Sequence, residues 1–149
     1  MVPFLTIYFI FLGPCGATQQ DKHITVTVVV ILASEEGSTV DKRLQNIAGE
    51  IQKLNPTLKS FQVKSIAERS VAPMEKVTID LVDDTKAVIA IMNAVDEQDK
   101  VALAVTPPNQ GEIVYSTVCG KFLPIVTRYQ TKDRQRLILA IQVQPCKKK

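Results

Sequence analysis

ITVTVVVILAS (residues 24–34) runs into EEG (35–37) and then into STVDKRLQNIAGEIQKL (38–54), and the change of pattern between them decides the fold class. The first segment alternates at Ile24, Val26 and Val28, then turns continuously apolar from Val29 to Ala33. A strand reads that way when both of its faces are covered. The second segment has a different period. Val40, Leu44, Ile47, Ile51 and Leu54 recur at spacings of four, three, four and three, which puts them on one stripe of a helix. Lys42, Arg43, Asn46, Glu50 and Lys53 fall on the opposite side, toward water. Ser38 with Asp41 three residues on reads as a capping box. Asn55-Pro56 ends the helix.

Downstream the chain reads mostly as strands. Leu58 to Val71 carries Phe61, Val63 and Ile66 as its apolar positions, and Ala72-Pro73 closes it. Lys76 to Val82 alternates, with Val77, Ile79 and Leu81 on one side, and Asp83-Asp84 makes a turn. Thr85 to Val95 fits two readings. Val88, Ile91, Met92 and Val95 make a helical stripe, while Val88-Ile89-Ala90-Ile91 suits a strand; the short turns on either side favour the strand. After the turn Asp96 to Asp99, Lys100 to Thr106 alternates through Val101, Leu103 and Val105. Pro107-Pro108-Asn109-Gln110-Gly111 is a loop, and Glu112 to Val118 is another strand. The predicted fold is α+β: one amphipathic helix packed on a mostly antiparallel, meandering β-sheet.

The last two strands, Phe122 to Tyr129 and Arg136 to Gln144, flank the polar stretch Gln130 to Gln135 and predict a hairpin. A register with Tyr129 opposite Arg136, Val126 opposite Leu139 and Phe122 opposite Val143 also sets Cys119 opposite Cys146. Directly opposed residues in a non-hydrogen-bonded pair approach to about 4.5 Å between Cα atoms, within the span of a disulfide. The expectation is therefore a Cys119–Cys146 disulfide that closes the C-terminal hairpin and contributes roughly 3 kcal/mol. A bulge at Gly120 or Pro124 would shift this register by one. The rival reading of Cys119 is a reactive thiol beside Lys121.

Such a disulfide needs an oxidising compartment, and the other end of the chain supplies the reason to expect one. Phe4 to Leu12 is an apolar run shorter than the roughly 20 residues that cross a bilayer. Gly13-Pro14 breaks it, and Cys15 and Ala17 set small residues where signal peptidase cuts. Residues 1–17 are predicted to be a signal peptide, 18–146 a single domain and 147–149 a basic tail, in a secreted or periplasmic protein. No Lys or Arg precedes the apolar run. Leu12-Gly13-Pro14-Cys15 is similar to a bacterial lipobox, with proline where Gly or Ala is usual. Membrane attachment is expected only if Cys15 is lipidated.

Charge is uneven along the chain. Thr18 to Glu112 holds 10 Lys and Arg against 14 Asp and Glu, a net of −4. Ile113 to Lys149 holds 8 basic residues against one acid, a net of +7. Lys121, Arg128, Lys132, Arg134, Arg136 and Lys147 are the candidate residues for an anionic partner: an acidic protein, an anionic polysaccharide or lipid headgroups. The bland alternative is a solvated hairpin whose charges discourage edge pairing. Nucleic acid fits poorly, since two tyrosines near the charges make no base-stacking platform.

Tryptophan is absent and His23 is the only histidine, so zinc sites and nucleophilic triads find few ligands. Asp80, Asp83, Asp84 and Asp96, Glu97, Asp99 match no calcium-loop spacing and read as turn residues. No GxSxG, P-loop, GxGxxG or HExxH occurs, so no catalytic residue, metal or cofactor is assigned. The strand–helix–strand opening resembles small periplasmic domains of secretion and transport assemblies, over about a third of the chain, without carrying a functional residue across. The expected function is an exported, non-catalytic binding or scaffold module with a basic C-terminal hairpin and an exposed sheet edge. The alternatives are a small secreted hydrolase or thiol enzyme, and a subunit of a cell-envelope assembly.

Overall fold

The computed structural model describes residues 24–93 and 95–144. The predicted signal peptide, Cys15, His23, Cys146 and the basic tail lie outside the described residues. Among the described residues eight strands and one α-helix follow in order: β1 (Ile24–Ser34), α1 (Gln45–Leu54), β2 (Ser60–Val71), β3 (Lys76–Asp80), β4 (Lys86–Ile91), β5 (Lys100–Thr106), β6 (Ile113–Val118), β7 (Leu123–Gln130) and β8 (Arg136–Gln144). Residues 86–91, which fit two patterns, form a strand.

The α+β class stands, but the strands divide into two antiparallel sheets rather than one meander. The first has the order β2-β1-β8-β7 and the second β3-β4-β5-β6. The chain leaves the first sheet after β2, builds the second as an up-and-down meander, and returns to place β8 beside β1. Period-two alternation says that a strand has one buried face. It carries no mark of which sheet the strand joins, so the division was invisible in the pattern.

The continuous apolar run of β1 is explained by its position. Val26, Val28, Val30 and Leu32 face the second sheet, where they pack with Ile79, Ile89, Leu103 and Val105. Val29, Ile31 and Ala33 face the other way, onto Leu44, Ile47 and Ile51 of the helical segment. Strand β8 is built alike, with Leu139, Ile141 and Val143 in the sandwich core and Ile138 and Ala140 under the helix. The two central strands of the first sheet thus separate two apolar cores.

Strand β2 serves both cores by changing phase. Ile31 pairs with Val63 but Val30 pairs with Ser65, which leaves Lys64 as a bulge. One extra residue exchanges the two faces of a strand. Before the bulge, Phe61 and Val63 lie under the helix. After it, Val71 sits in the sandwich core with Ala67 packed against it. Ile66 is left on the helix side beyond the helix, 49% exposed.

The helix begins later than the capping box implies. Ser38 to Val40 stay extended alongside β2: the Phe61 N–H donates to the Thr39 carbonyl (2.9 Å) and the Asp41 N–H to the Phe61 carbonyl (3.0 Å). Asp41 is the cap, accepting the Arg43 N–H at 3.0 Å, and a 3-10 turn at Lys42–Leu44 leads into α1. Leu44, Ile47 and Ile51 are buried as the stripe requires, but Leu54, the last residue of α1, is 61% exposed.

The Arg43 guanidinium binds both oxygens of Asp41, at 3.1 and 2.9 Å. These bonds lower the Asp41 pKa from 3.8 to about 2. A depressed carboxylate contributes stability above its unfolded pKa, and that contribution fades as pH falls through the folded value. Here it fades between pH 3.8 and about 2. An NMR titration is expected to show the Asp41 midpoint rising toward 3.8 in Arg43→Ala. An unchanged midpoint would refute the assignment.

Candidate functional site

The β7–β8 hairpin carries most of the basic residues, and its register differs from the expected one. Leu123 pairs with Ile141, Ile125 with Leu139 and Val126 with Ile138, while at the turn end Gln130, not Tyr129, pairs with Arg136. The expected pairs Tyr129–Arg136, Val126–Leu139 and Phe122–Val143 are therefore corrected. The cause is a wide bulge at Thr127-Arg128-Tyr129, facing Leu137 alone, rather than a kink at Gly120 or Pro124. No glycine or proline marks it. Thr127 stitches it shut: its hydroxyl donates to the Leu137 carbonyl at 2.7 Å and accepts the Tyr129 N–H at 3.2 Å. Thr127 is buried, at 1% exposure. Thr127→Val preserves shape but strands a buried carbonyl and an amide. It is expected to cost about 2 kcal/mol, read from the urea midpoint; a loss below about 0.5 kcal/mol would show that the ladder closes without the hydroxyl.

At the apex the Thr131 N–H donates to the Gln135 carbonyl (2.9 Å) and the Arg134 N–H to the Thr131 carbonyl (3.0 Å). Arg134 holds φ +62°, a left-handed conformation that glycine adopts without strain and arginine does not. Lys132, Asp133 and Arg134 are all exposed there. Arg136, half-buried, donates from Nη1 to the Thr127 carbonyl at 3.3 Å; its Nε is buried with no hydrogen-bond partner.

Arg134 and Arg136 line a cleft of about 270 Å³ between the apex and the C-terminal end of β1. Glu35, Glu36 and Asp133 line it too. The cleft is thus of mixed sign, which net charge along the sequence did not reveal, because Glu35-Glu36 read only as a turn.

Not all the candidate basic residues gather here. Lys121 lies at the far end of the hairpin, roughly 23 Å away at about 3.3 Å per residue. Arg128 is exposed on β7, its own N–H taken by the Gln110 side chain at 3.0 Å. Lys147 lies outside the described residues. The basic surface divides into an apex group (Arg128, Lys132, Arg134, Arg136) and the separate Lys121.

At that far end Val118, Cys119, Gly120 and Lys121 form a turn closed by the Lys121 N–H on the Val118 carbonyl (3.1 Å). Gly120 holds φ +86°, as the third residue of a type II turn must. The Gly120 N–H donates to the Val143 carbonyl (3.0 Å), and the buried Cys119 sulfur lies 3.1 Å from that same oxygen. Cys146, its expected partner, lies outside the described residues.

The acidic runs do the turn work expected of them. Asp83 and Asp84 both have positive φ, 54° and 59°, the pair that a type I′ turn requires. Asp96 accepts the Gln98 and Lys100 N–H groups, each at 2.8 Å. Asp83 also accepts the Tyr129 hydroxyl at 3.0 Å, a bond that raises the tyrosine pKa and ties the two sheets. Among the described residues, no group of His, Cys, Asp and Glu stands close enough to hold a metal ion. Nor is any helix there long and apolar enough to cross a membrane.

Comparison with protein-family models, curated proteins and solved structures finds no match. The reading of the site rests on its geometry alone.

Proposed function

We propose that this is an exported, non-catalytic binding module, with the β7–β8 apex as its contact surface and a protein as its partner. The observation that carries this reading is the mixed-sign cleft. Lys132 and Arg134 project at the apex, yet Glu35, Glu36 and Asp133 stand beside the arginines. A uniform polyanion, whether polysaccharide or lipid surface, would meet those carboxylates with repulsion. A protein that presents acidic and basic side chains in a matching pattern satisfies both signs. Arg134 supports the same reading: a bulky cation in a strained position at an exposed apex is more easily understood by contact than by stability.

Export fits the same proposal. The predicted signal peptide fits the placement of Cys119, which sits buried against Val143 of β8, three residues before Cys146 in sequence. A disulfide between the two would pin the hairpin at the end opposite its binding apex.

The test places a photo-cross-linker at position 132 in the exporting cell and passes the exported protein over a sulfated-polysaccharide resin. A discrete protein adduct that Arg134→Glu abolishes supports the proposal. Firm resin retention with no adduct would replace the protein partner by a polyanion. Neither adduct nor retention would sink the apex as a binding surface.

A further inference from the structure

Four strands lie at sheet edges among the described residues: β2, β3, β6 and β7. Three carry the devices that keep edges from pairing. Strand β2 has Lys64, Glu68 and Arg69 and a bulge. Strand β3 begins with Lys76 and ends with Asp80. Strand β7 holds Pro124, Arg128 and the wide bulge. Strand β6, IVYSTV, has no charge, no proline and no bulge. Its residues are β-branched or aromatic except Ser116, and Val114 is 60% exposed.

The hydrogen-bond phase of β6 follows from one bond. The Cys119 N–H donates to the Asp99 carbonyl at 2.6 Å, continuing the register in which Lys100 faces Val118. Alternate residues of an antiparallel strand bond to the same neighbour. Thr117, Tyr115 and Ile113 therefore bond toward β5, and Val114, Ser116 and Val118 direct their N–H and carbonyl groups outward, the Val118 carbonyl already accepting the Lys121 N–H. The same three side chains lie on the outer face of the sheet, since the strand residues opposite the other three, Val101, Leu103 and Val105, are in the core.

We infer that β6 is a homodimer edge, pairing antiparallel with β6 of a second copy about a two-fold axis at Ser116. In that register Ser116 faces its own copy and Val114 faces Val118, so the outward N–H groups and the Val114 and Ser116 carbonyls of both strands are used, and the Val118 carbonyl takes a second donor beside the Lys121 N–H. The flanking charges complete it: β6 is preceded by Glu112 and followed by Lys121, both exposed. Antiparallel pairing brings the acid of one copy beside the lysine of the other; parallel pairing would stack like on like. Self-pairing also closes the open edge and leaves the charged β3 strands at the ends of a continuous eight-stranded sheet. This surface is separate from the hairpin apex, and nothing in the inference depends on the apex reading.

The test is the mass of the exported full-length product by light scattering across a concentration series. The expected result is a doubled mass that falls to monomer on dilution. Because position 116 faces itself, Ser116→Lys sets like charges directly opposite and is expected to raise the dissociation constant roughly fivefold or more. Ser116→Asp should do the same. An equal mixture of the two variants should restore the dimer, which a misfolded variant would not. A wild-type protein that stays monomeric throughout overturns the inference. So does a dimer indifferent to Ser116→Lys, or a mixture that remains monomeric.

Discussion

Reduction of the exported protein is expected to remove about 3 kcal/mol of stability and to lower its thermal midpoint by roughly 10 °C. The proposed Cys119–Cys146 bond closes a loop containing both strands of the hairpin, and the unfolded chain gains the freedom of that whole loop when the bond opens. The folded chain gains little. The Gly120–Val143 bond and the Gln142 side chain, which donates to the Gly120 carbonyl at 2.8 Å, hold the same end of the hairpin in place. Serine substitutions separate the contributions. Cys146→Ser should reproduce the effect of reduction. Cys119→Ser should cost more, because it also sets a hydroxyl in a site only 7% exposed. Urea unfolding of the oxidised and reduced protein is the measurement, and equal midpoints would remove the disulfide from the proposal.

Phe61→Ala is expected to cost about 4 kcal/mol. Phe61 is the largest fully buried side chain between helix and sheet, at 2% exposure. It packs among Leu44, Ile47, Ile51 and Leu58, and its backbone grips the extended segment that leads into the helix. The second core is small, so a cavity there has few neighbours able to fill it. The sandwich core lies on the other side of β1 and is not touched. Loss of helical signal at lower urea than loss of sheet signal would show that the helix layer opens first. Phe61→Leu should cost less than half as much; if both substitutions cost under about 1 kcal/mol, the helix is held by something other than this side chain.

Much of this arrangement could be read from sequence where a residue's pattern depended on local burial. The bounds of β1 and β8 were legible because two-sided burial produces an unbroken apolar run. The helix was legible through Leu44, Ile47 and Ile51, and the turns through paired aspartates. What was not legible depended on the partner strand. Nothing in Lys64 or in Thr127-Arg128-Tyr129 marks a bulge, since each forms against the count of residues on a neighbour distant in sequence. The late helix start has the same origin: Ser38 to Val40 are held by backbone bonds from β2. At the candidate site, charge along the chain identified the hairpin, but the carboxylates that change its sign arrive from the end of β1, some hundred residues earlier in the chain.

The bulge at Lys64 has a consequence for how this chain can change length. Upstream of it, odd-numbered residues of β2 serve the helix; downstream, odd-numbered residues serve the sandwich. The change of face is carried by one surplus residue, and that surplus is spare length. Removing Lys64 alone makes Ile31–Val63 and Val30–Ser65 consecutive pairs of an unbroken ladder, with Val71 still opposite Ile24 in the sandwich core. A single deletion in β2 should therefore be tolerated where loss of the bulge absorbs it, while a second deletion or an inserted residue needs a new irregularity to keep both cores filled. Strand β2 can shorten by one residue before its faces are forced to exchange, and that allowance is written in the backbone rather than in any side chain.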